Sequence, residues 1–103
     1  MSGTGRLVLK FKEGESFFVG DQKYTVTKIV HPMKFKVEKD GSMPVVMTID
    51  ASHREELEPN VFLSAGPKRD NDAVSAVFEA PKSVRLDRES VYYDRNPDKA
   101  VSI

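Results

Sequence analysis

The sequence of 103 residues lacks cysteine, long apolar runs and an excess of either charge. Without cysteine the chain forms neither disulfides nor thiolate metal sites, which fits a reducing compartment. Its apolar runs, such as Phe17–Val19 and Val45–Met47, are far too short to cross a bilayer, so we expect no membrane association. Basic and acidic residues number 16 each, so the formal net charge is zero. This argues against indiscriminate binding of nucleic acid, which needs a broad basic field.

Known catalytic arrangements are also missing from the sequence. No serine stands in a nucleophile elbow, and the glycines near the N-terminus do not follow a strand. His53 lies near Asp50, Glu55 and Glu56, but no second histidine stands at metal-ligand spacing, so a solvated polar turn is the preferred interpretation. We therefore expect no enzyme activity, no metal and no cofactor. The polar segment Met1–Gly5 lacks the apolar stretch of a signal peptide, and we expect a cytoplasmic protein.

Alternating apolar and polar residues predict a mainly β fold in a single domain over residues 1–103. The pair Asp40-Gly41 predicts a hairpin turn, and the segment Ser52–Leu57 predicts a turn of helix that is capped by Ser52 and ends at Pro59. The predicted strands are Leu7–Phe11, Phe17–Val19, Tyr24–Val30, Met33–Glu38, Val45–Ile49 and a strand that runs from Val74 into Pro81, with a brief apolar segment at Val61–Leu63.

The segment Ala80–Tyr92 predicts the end of a strand, a corner, a short strand and the start of a helix. Pro81 lacks an amide donor and cannot lie inside a central strand, so the chain should turn there. Asp87 is expected to cap the helix. The helix should end at Asn96-Pro97, and residues 96–103 should form a loose tail.

Arg88 stands where this short strand should give way to the helix, so its guanidinium can project free of the sheet. An arginine in that position either binds a ligand or pairs with a nearby carboxylate, such as that of Asp87 or Glu89. A similar choice applies to Lys10 and Lys12, which either bind phosphate or protect an edge strand from aggregation.

Two separated segments, Leu7–Asp21 and Val74–Tyr92, together resemble the carbon storage regulator (CsrA/RsmA) family of small bacterial RNA-binding proteins. The first resembles the family's opening strand, its Gly-Glu-Ser turn and the following three apolar residues with Gly-Asp. The second contains Ala80–Lys82 and Arg88–Tyr92, which match the family in kind and spacing. Between the two segments, Tyr24–Val30 resembles the family's third strand.

The resemblance implies an intertwined homodimer of β-strands, in which the first and last strands of one chain lie beside the middle strands of the other. This chain would have an inserted β-hairpin in that fold, which would end in a short C-terminal helix. Residues 7–30 and 73–95 would form the family-like core, and residues from about 31 to 71 would be an insertion. The implied function is to bind GGA-containing single-stranded loops in messenger RNA leaders, often in stem-loops, and so to control translation.

The resemblance places the family's principal RNA-contacting arginine at Arg88, on a surface that joins the first strand of one chain to the last strand and the helix start of its partner. Phe11 stands where the family has a basic residue, so it is either a stacking platform for a base or part of the core or dimer interface. Asp87 stands where a histidine is usual and sets a negative charge next to the proposed anion site. The implied RNA-binding residues are Arg88, Leu9, Lys10, Phe11, Lys12, Val84, Leu86, Asp87 and Val91.

Two alternatives stay open at this point. The segment Ile49–Leu57 contains a second, weaker match to the family's arginine motif around Arg54. No short strand is predicted before Arg54, so Arg88 is preferred as the RNA-contacting arginine. The function also has an alternative, namely a CsrA-like protein-interaction module or antagonist. Such a protein would not read RNA itself and would bind a protein partner through the insertion.

Overall fold

The structure, a computed structural model, describes residues 4–31, 33–66 and 73–97. Nine strands and one helix follow one another in this part of the chain, which confirms the predicted mainly β fold with a short C-terminal helix. They are β1 (Thr4–Lys12), β2 (Ser16–Val19), β3 (Gln22–His31), β4 (Lys34–Lys39), β5 (Val45–Asp50), β6 (Glu55–Glu58), β7 (Val61–Ala65), β8 (Ala73–Pro81), β9 (Leu86–Arg88) and α1 (Glu89–Arg95).

The strands form two antiparallel sheets that pack against each other around a shared apolar core. The first sheet has the order β1-β8-β7-β6, and the second has the order β5-β4-β3-β2-β9. The edge strands β1 and β9 lie on one side of this sandwich, which we call the β1–β9 side, and β5 and β6 lie on the other. The predicted strands are confirmed, as is the hairpin at Asp40-Gly41, which joins β4 to β5.

Phe17 is the residue at which the two sheets meet. From β2 in the second sheet, its ring lies 5.2 Å from the ring of Phe11 and 5.1 Å from that of Phe78, both in the first sheet. It also stacks on Tyr24 of β3 at 5.4 Å. These side chains are at most 1% exposed. Burying one such side chain stabilises a fold by about 1.5–3 kcal/mol, so this aromatic cluster accounts for much of the attachment between the sheets.

Helix α1 covers the outer face of β2, which is therefore buried on both faces. Phe18 points away from Phe17, as successive residues in a strand do, and its ring stacks on Tyr92 at a centroid distance of 3.7 Å. Tyr92 Oη donates a hydrogen bond of 2.8 Å to Asp21 Oδ1, which fixes the helix to the turn after β2. The helix ends before Asn96, as predicted.

The helical turn predicted at Ser52–Leu57 is wrong, because this segment forms β6 and pairs with β7 in a hairpin. Leu57 is buried in the core between the sheets, which an exposed turn of helix would not allow. The carboxylate of Asp50 accepts hydrogen bonds from the backbone N–H and the hydroxyl of Ser52, so Ser52 belongs to a turn after β5. Burial of one leucine and this local turn together outweigh the capping pattern.

The prediction that Asp87 caps the helix is also wrong. Asp87 is the middle residue of β9 and lies opposite Phe18 in the pairing of β9 with β2. The helix begins at Glu89, and Arg88 takes the N-cap position without a capping hydrogen bond from its side chain. The β9 ladder therefore continues one residue further than the capping pattern indicates.

The first and last strands pair with middle strands of their own chain. β1 lies beside β8 from Thr4–Pro81 to Lys12–Ala73, and β9 lies beside β2. The resemblance implied neighbours of this kind but placed them in a second chain. Strands β4 to β7 extend the two sheets between these pairs. Neither sheet needs a second chain for these pairs, and the homodimer stays a prediction.

On the β5–β6 side, a buried phenol ties β3 to β6. Tyr24 Oη donates to the carbonyl oxygen of Leu57 at 3.0 Å and to Glu58 Oε2, which also lies 3.1 Å from Lys39 Nζ. Burial, with the Glu58 hydrogen bond, raises the pKa of Tyr24 well above its usual 10.0. Burial acts to raise the pKa of Glu58 as well, but the bonds from Tyr24 and Lys39 outweigh it and hold that pKa below its usual value.

Two predicted segments lie largely outside the described residues. They are the polar loop from Gly66 to Asp72, of which only Gly66 is described, and the tail over residues 96–103, of which 96 and 97 are described. Gly66 itself is buried beside β8, where its N–H bonds the carbonyl of Ser75 at 2.8 Å. A Cβ at this position would lie 3.0 Å from Val77 Cγ2, so a larger residue would require the neighbouring side chains to shift by a few tenths of an ångström.

Candidate nucleic-acid interface

The two faces of β1 have different surroundings, as its alternation predicts. Leu7, Leu9 and Phe11 lie opposite core residues of β8 and face the second sheet. Lys10 and Lys12 lie on the outer face of the first sheet and are exposed. The exposed fraction on the inner face falls from 38% at Leu7 to 1% at Phe11. The β1–β9 side is therefore open at the start of β1 and filled at its end.

The open end contains a depression of about 190 Å³, which we call the apolar hollow. Three apolar side chains in its lining are partly exposed, namely Leu7 of β1, Val84 before β9 and Leu86 of β9. It is lined by Gly5, Arg6, Leu7, Ala80, Pro81, Lys82, Val84 and Leu86. Apolar side chains beside two cations suit a planar group that is attached to an anionic chain.

A second depression of about 240 Å³, which we call the arginine hollow, lies where β9 meets the turn between β1 and β2. The carbon of the Arg88 guanidinium lies 5.0 Å from the centre of the Phe11 ring, an arrangement in which an arginine is held against an aromatic face. Gly14 has a φ of 93° in the adjoining turn, which a residue with a side chain would not adopt without strain. The hollow is lined by Gly14, Glu15, Ser16, Arg88, Glu89 and Ser90.

No carboxylate among the described residues forms an ion pair with Arg88. Glu89 instead pairs with Lys23 at 3.1 Å, and this hydrogen bond raises the pKa of Lys23. Glu15 Oε1 accepts a hydrogen bond of 2.7 Å from the backbone N–H of Lys12. The half-buried guanidinium of Arg88 therefore keeps its N–H donors for an acceptor from outside the described chain.

Asp87 lies on the opposite face of β9 from Arg88, because successive residues in a strand alternate. Its carboxylate is buried, 3.5 Å from Arg85 Nε and 4.0 Å from Arg95 Nε of helix α1. The expectation that Asp87 places a negative charge beside the anion site is corrected by this geometry. The residue belongs to the contact between β9 and the helix.

The structure brings together part of the predicted set of RNA-binding residues. The members on the β1–β9 side are Leu9, Phe11, Val84, Leu86 and Arg88. The members on other surfaces are Lys10 and Lys12 on the outer face of the first sheet, Asp87 between β9 and α1, and Val91, 37% exposed, in α1. Phe11 is a core residue, and the guanidinium of Arg88 lies over its ring. Because the Phe11 ring is buried, it has no free face on which a base could stack.

Arg6 and Lys82 line the apolar hollow, although they were not among the predicted RNA-binding residues. The pairing of Thr4 with Pro81 explains their position, because it brings the start of β1 next to the corner after β8. The signal for Arg6 in the sequence was its place in a run of basic residues on β1. Its proximity to Lys82 depends on the pairing of β1 with β8, which the sequence alone does not reveal.

Arg54, the alternative arginine, has a different environment. Its guanidinium binds the carboxylate of Glu79 and lies 4.3 Å from the centre of the Phe62 ring. The charge of Arg54 is therefore neutralised by a partner within the chain. This favours Arg88 as the ligand-binding arginine.

Other kinds of site find no support in the part of the chain that the structure describes. There, no group of three or more histidine, aspartate or glutamate side chains is arranged to hold a metal ion, and His53 Nε2 lies 3.3 Å from Glu55 Oε1. No described helix has the length and apolar character needed to span a membrane.

Comparisons of the chain with protein-family models, curated proteins and solved structures gave no match.

Proposed function

We propose that this protein is an RNA-binding post-transcriptional regulator that resembles CsrA. It binds GGA-type single-stranded loops in messenger RNA leaders on its β1–β9 side and so controls translation in the cytoplasm. The observation that carries the proposal is the guanidinium of Arg88, which is half-buried against Phe11 and has no carboxylate partner among the described residues.

Arg88 supplies the chemistry that reads a guanine or fixes a phosphate. Its planar fork donates two parallel hydrogen bonds to the O6 and N7 atoms of guanine or to two phosphate oxygens. Contact with the Phe11 ring holds the fork in place, so little side-chain freedom is lost when RNA binds. Because Arg88 forms no ion pair with the residues that the structure describes, no such bond has to be broken first.

The apolar hollow suits a second, neighbouring nucleotide. A base that is not paired can lie against the partly exposed side chains of Leu7, Val84 and Leu86, while Arg6 and Lys82 neutralise the backbone phosphates beside it. Bases in a loop are splayed and accessible, whereas those inside an A-form helix are not. We therefore expect the protein to bind the loop of a stem-loop and not its stem.

A single chain contributes all parts of this surface, since β1, β8 and β9 pair within one chain. The proposal keeps a homodimer without the exchange of strands that the resemblance implies, because the site does not depend on a second chain. Each chain then binds one loop.

The test is to measure binding of the purified protein to a short stem-loop with GGA in the loop and to the same stem with a scrambled loop, each at two salt concentrations. We expect tight binding to the GGA loop only. That binding should weaken with salt, because each neutralised phosphate releases counterions. Equal binding to both loops, or no binding to either, would contradict the proposal.

A second candidate function is a CsrA-like protein-interaction module or antagonist that acts through the segment 31–71. It is favoured by the zero net charge and by Glu15 and Glu89, which line the arginine hollow beside Arg88. The same binding experiment separates the two functions, because the module would show no preference for the GGA loop.

A further inference from the structure

The two sheets of the described chain have four edge strands, and three of them are protected against pairing with another chain. Exposed backbone N–H and C=O groups at an edge attract further strands, and proteins block them with charges, bulges or short strands. The edge strand β9 is only three residues long and leads directly into helix α1. It offers too short an edge for a stable pairing.

Charges protect the edges of the first sheet. The edge strand β1 carries three cations, and the edge strand β6 carries three carboxylates and a shift of register between Glu56 and Glu58. These charged residues are Arg6, Lys10 and Lys12 on β1, and Glu55, Glu56 and Glu58 on β6. Antiparallel pairing of a second copy over the full length of either strand would bring like charges opposite each other.

The edge strand β5 is less protected between its two ends, which are marked by Pro44 before the strand and by the bridge of Asp50 with His53. Its residues Val45–Ile49 carry no charge, and its pairing with β4 continues through Val45–Asp50 without a shift of register. Val45 and Val46 are 51% and 58% exposed, and Met43 in the preceding turn is 84% exposed. An uncharged, regular and apolar edge of this length is a surface that a protein normally covers.

We propose that the edge of β5 pairs with β5 of a second copy of this chain, antiparallel and about a two-fold axis. The five-stranded sheets of the two copies then form one continuous ten-stranded sheet. The exposed apolar side chains near the start of β5 pack on the second copy. The inference rests on the edge strands and not on RNA binding, so each can fail without the other.

The distribution of charge on the edge strands favours a second copy of this chain as the partner of β5. With the axis at Met47, Val46 lies opposite Thr48 of the second copy and Val45 lies opposite its Ile49. No like charges meet, since Asp50 is the single charged residue of β5. The equivalent pairing of β1 about Val8 would set Arg6 opposite Lys10. Like charges opposite each other destabilise a strand pair, so pairing over the full strand length is favoured for β5 over β1.

The lysines of the neighbouring strand β4 do not oppose the pairing. Lys34 and Lys36 lie on the outer face of the second sheet, one strand away from the edge. In the dimer, three strand spacings separate them from the same lysines of the second copy, which is about 14 Å. At physiological salt the Debye length is about 8 Å, so this repulsion is largely screened.

The dimer would place its two RNA surfaces far apart. The edge strand β9 is the last strand of the second sheet, so the two β9 strands lie at opposite ends of the ten-stranded sheet. Nine strand spacings separate them, which is about 40 Å. If the proposed function holds, one dimer binds two loops that are separated by roughly this distance.

The test is the association state in sedimentation equilibrium over a range of protein concentrations. We expect the wild-type chain to be a dimer and Thr48→Lys to weaken dimerisation by at least about tenfold, because like charges near the two-fold axis repel each other. Val8→Lys is the matched control. It introduces the same charge at an exposed site on the other long edge strand, and should leave the dimer unchanged.

A second pair of variants excludes loss of folding as the explanation. Thr48→Lys and Thr48→Glu should each be monomeric with an unchanged circular dichroism spectrum, and an equimolar mixture of the two should dimerise again. A monomeric wild-type chain would overturn the proposal. A dimer that survives Thr48→Lys would also overturn it, and this result is expected if the chains instead exchange β1 and β9. A mixture of the two variants that stays monomeric would overturn it as well.

Discussion

Arg54 and Arg88 lie over aromatic rings in two regions of the same sandwich, yet only Arg54 is paired with a carboxylate among the described residues. Arg54 lies 4.3 Å from the centre of the Phe62 ring and also binds Glu79. Arg88 lies 5.0 Å from the centre of the Phe11 ring and has no carboxylate partner among the described residues. The difference teaches that the ion-pair state of an arginine, more than its local sequence, marks it as a candidate for binding a ligand.

The cause of the difference lies in the neighbours of each arginine. Three described carboxylates lie next to Arg88 in the chain or line the arginine hollow, and each has another partner. Glu89 pairs with Lys23, Asp87 pairs with Arg85 on the opposite face of β9, and Glu15 accepts a hydrogen bond from the backbone of Lys12. Near Arg54, Glu79 has no competing ion pair among the described residues. Variants in the two regions can therefore test this contrast.

The aromatic partners of the two arginines should differ most in their effect on stability. Phe11→Ala removes a ring that is 1% exposed and should lower the free energy of unfolding by about 3–5 kcal/mol. Phe62→Ala removes a partly exposed ring and should lower it by about 1 kcal/mol. Urea unfolding measures both values. Equal losses would show that Phe11 does not have the core role described here.

The two arginines should differ in RNA binding. Arg88→Ala should lower the affinity for a GGA stem-loop by about tenfold to a hundredfold, the usual value of one good two-bond contact to a base. Arg54→Ala should change it by less than about twofold, because Arg54 is already engaged by Glu79. Titration of a labelled stem-loop measures both. A larger loss in Arg54→Ala would reverse the assignment of the site.

The β5–β6 side, where polar groups bond one another, predicts a pH effect on stability. The pKa of Tyr24 in the folded chain is raised above 10.0, so its contribution is present below pH 10 and is lost as the pH rises further and the unfolded chain ionises. At pH 7, Tyr24→Phe should cost about 1–3 kcal/mol, because the Leu57 carbonyl loses its buried donor.

Urea unfolding of the wild type and of Tyr24→Phe from pH 7 to pH 11 measures this effect. The difference in stability between them should shrink above pH 10. Tyr93→Phe is the control, since it leaves Tyr24 in place and should keep the alkaline decline. A constant difference between the wild type and Tyr24→Phe would contradict the role given to the phenol.

A new carboxylate beside Arg88 should neutralise its guanidinium, as Glu79 does for Arg54. Ser90 is exposed in the first turn of α1 and lines the arginine hollow, and an aspartate suits the first turn of a helix. Ser90→Asp should therefore keep the fold and lower the affinity for the GGA stem-loop by about two- to fivefold. Ser42→Asp adds the same charge in the distant β4–β5 turn and should have less effect. Equal effects would indicate a change in overall charge alone.

The elements that the sequence predicts correctly are those that local chemistry determines. Alternation in Met33–Glu38 and Val45–Ile49 and the turn at Asp40-Gly41 define the β4–β5 hairpin, which the structure contains. Pro81 ends β8 because it cannot donate to a ladder. In each case the deciding residues are neighbours in the chain.

The errors arise where residues distant in the chain decide. Leu57 joins the core and bonds Tyr24, 33 residues away, which makes its segment a strand. The pairing of β1 with β8 likewise depends on how the chain from β4 to β7 returns. The same limit applies to the site, since the sequence predicts Arg88 at a strand end but not that Lys23 would hold Glu89.

The most direct test of the central claim is an NMR titration of the labelled protein with the GGA stem-loop, observing the side-chain Nε–Hε signals of the arginines. The account predicts that the Arg88 signal shifts and saturates with the same dissociation constant as RNA binding, while the Arg54 signal stays in place. A shift of Arg54 without a shift of Arg88, or no shift of either during RNA binding, would contradict it.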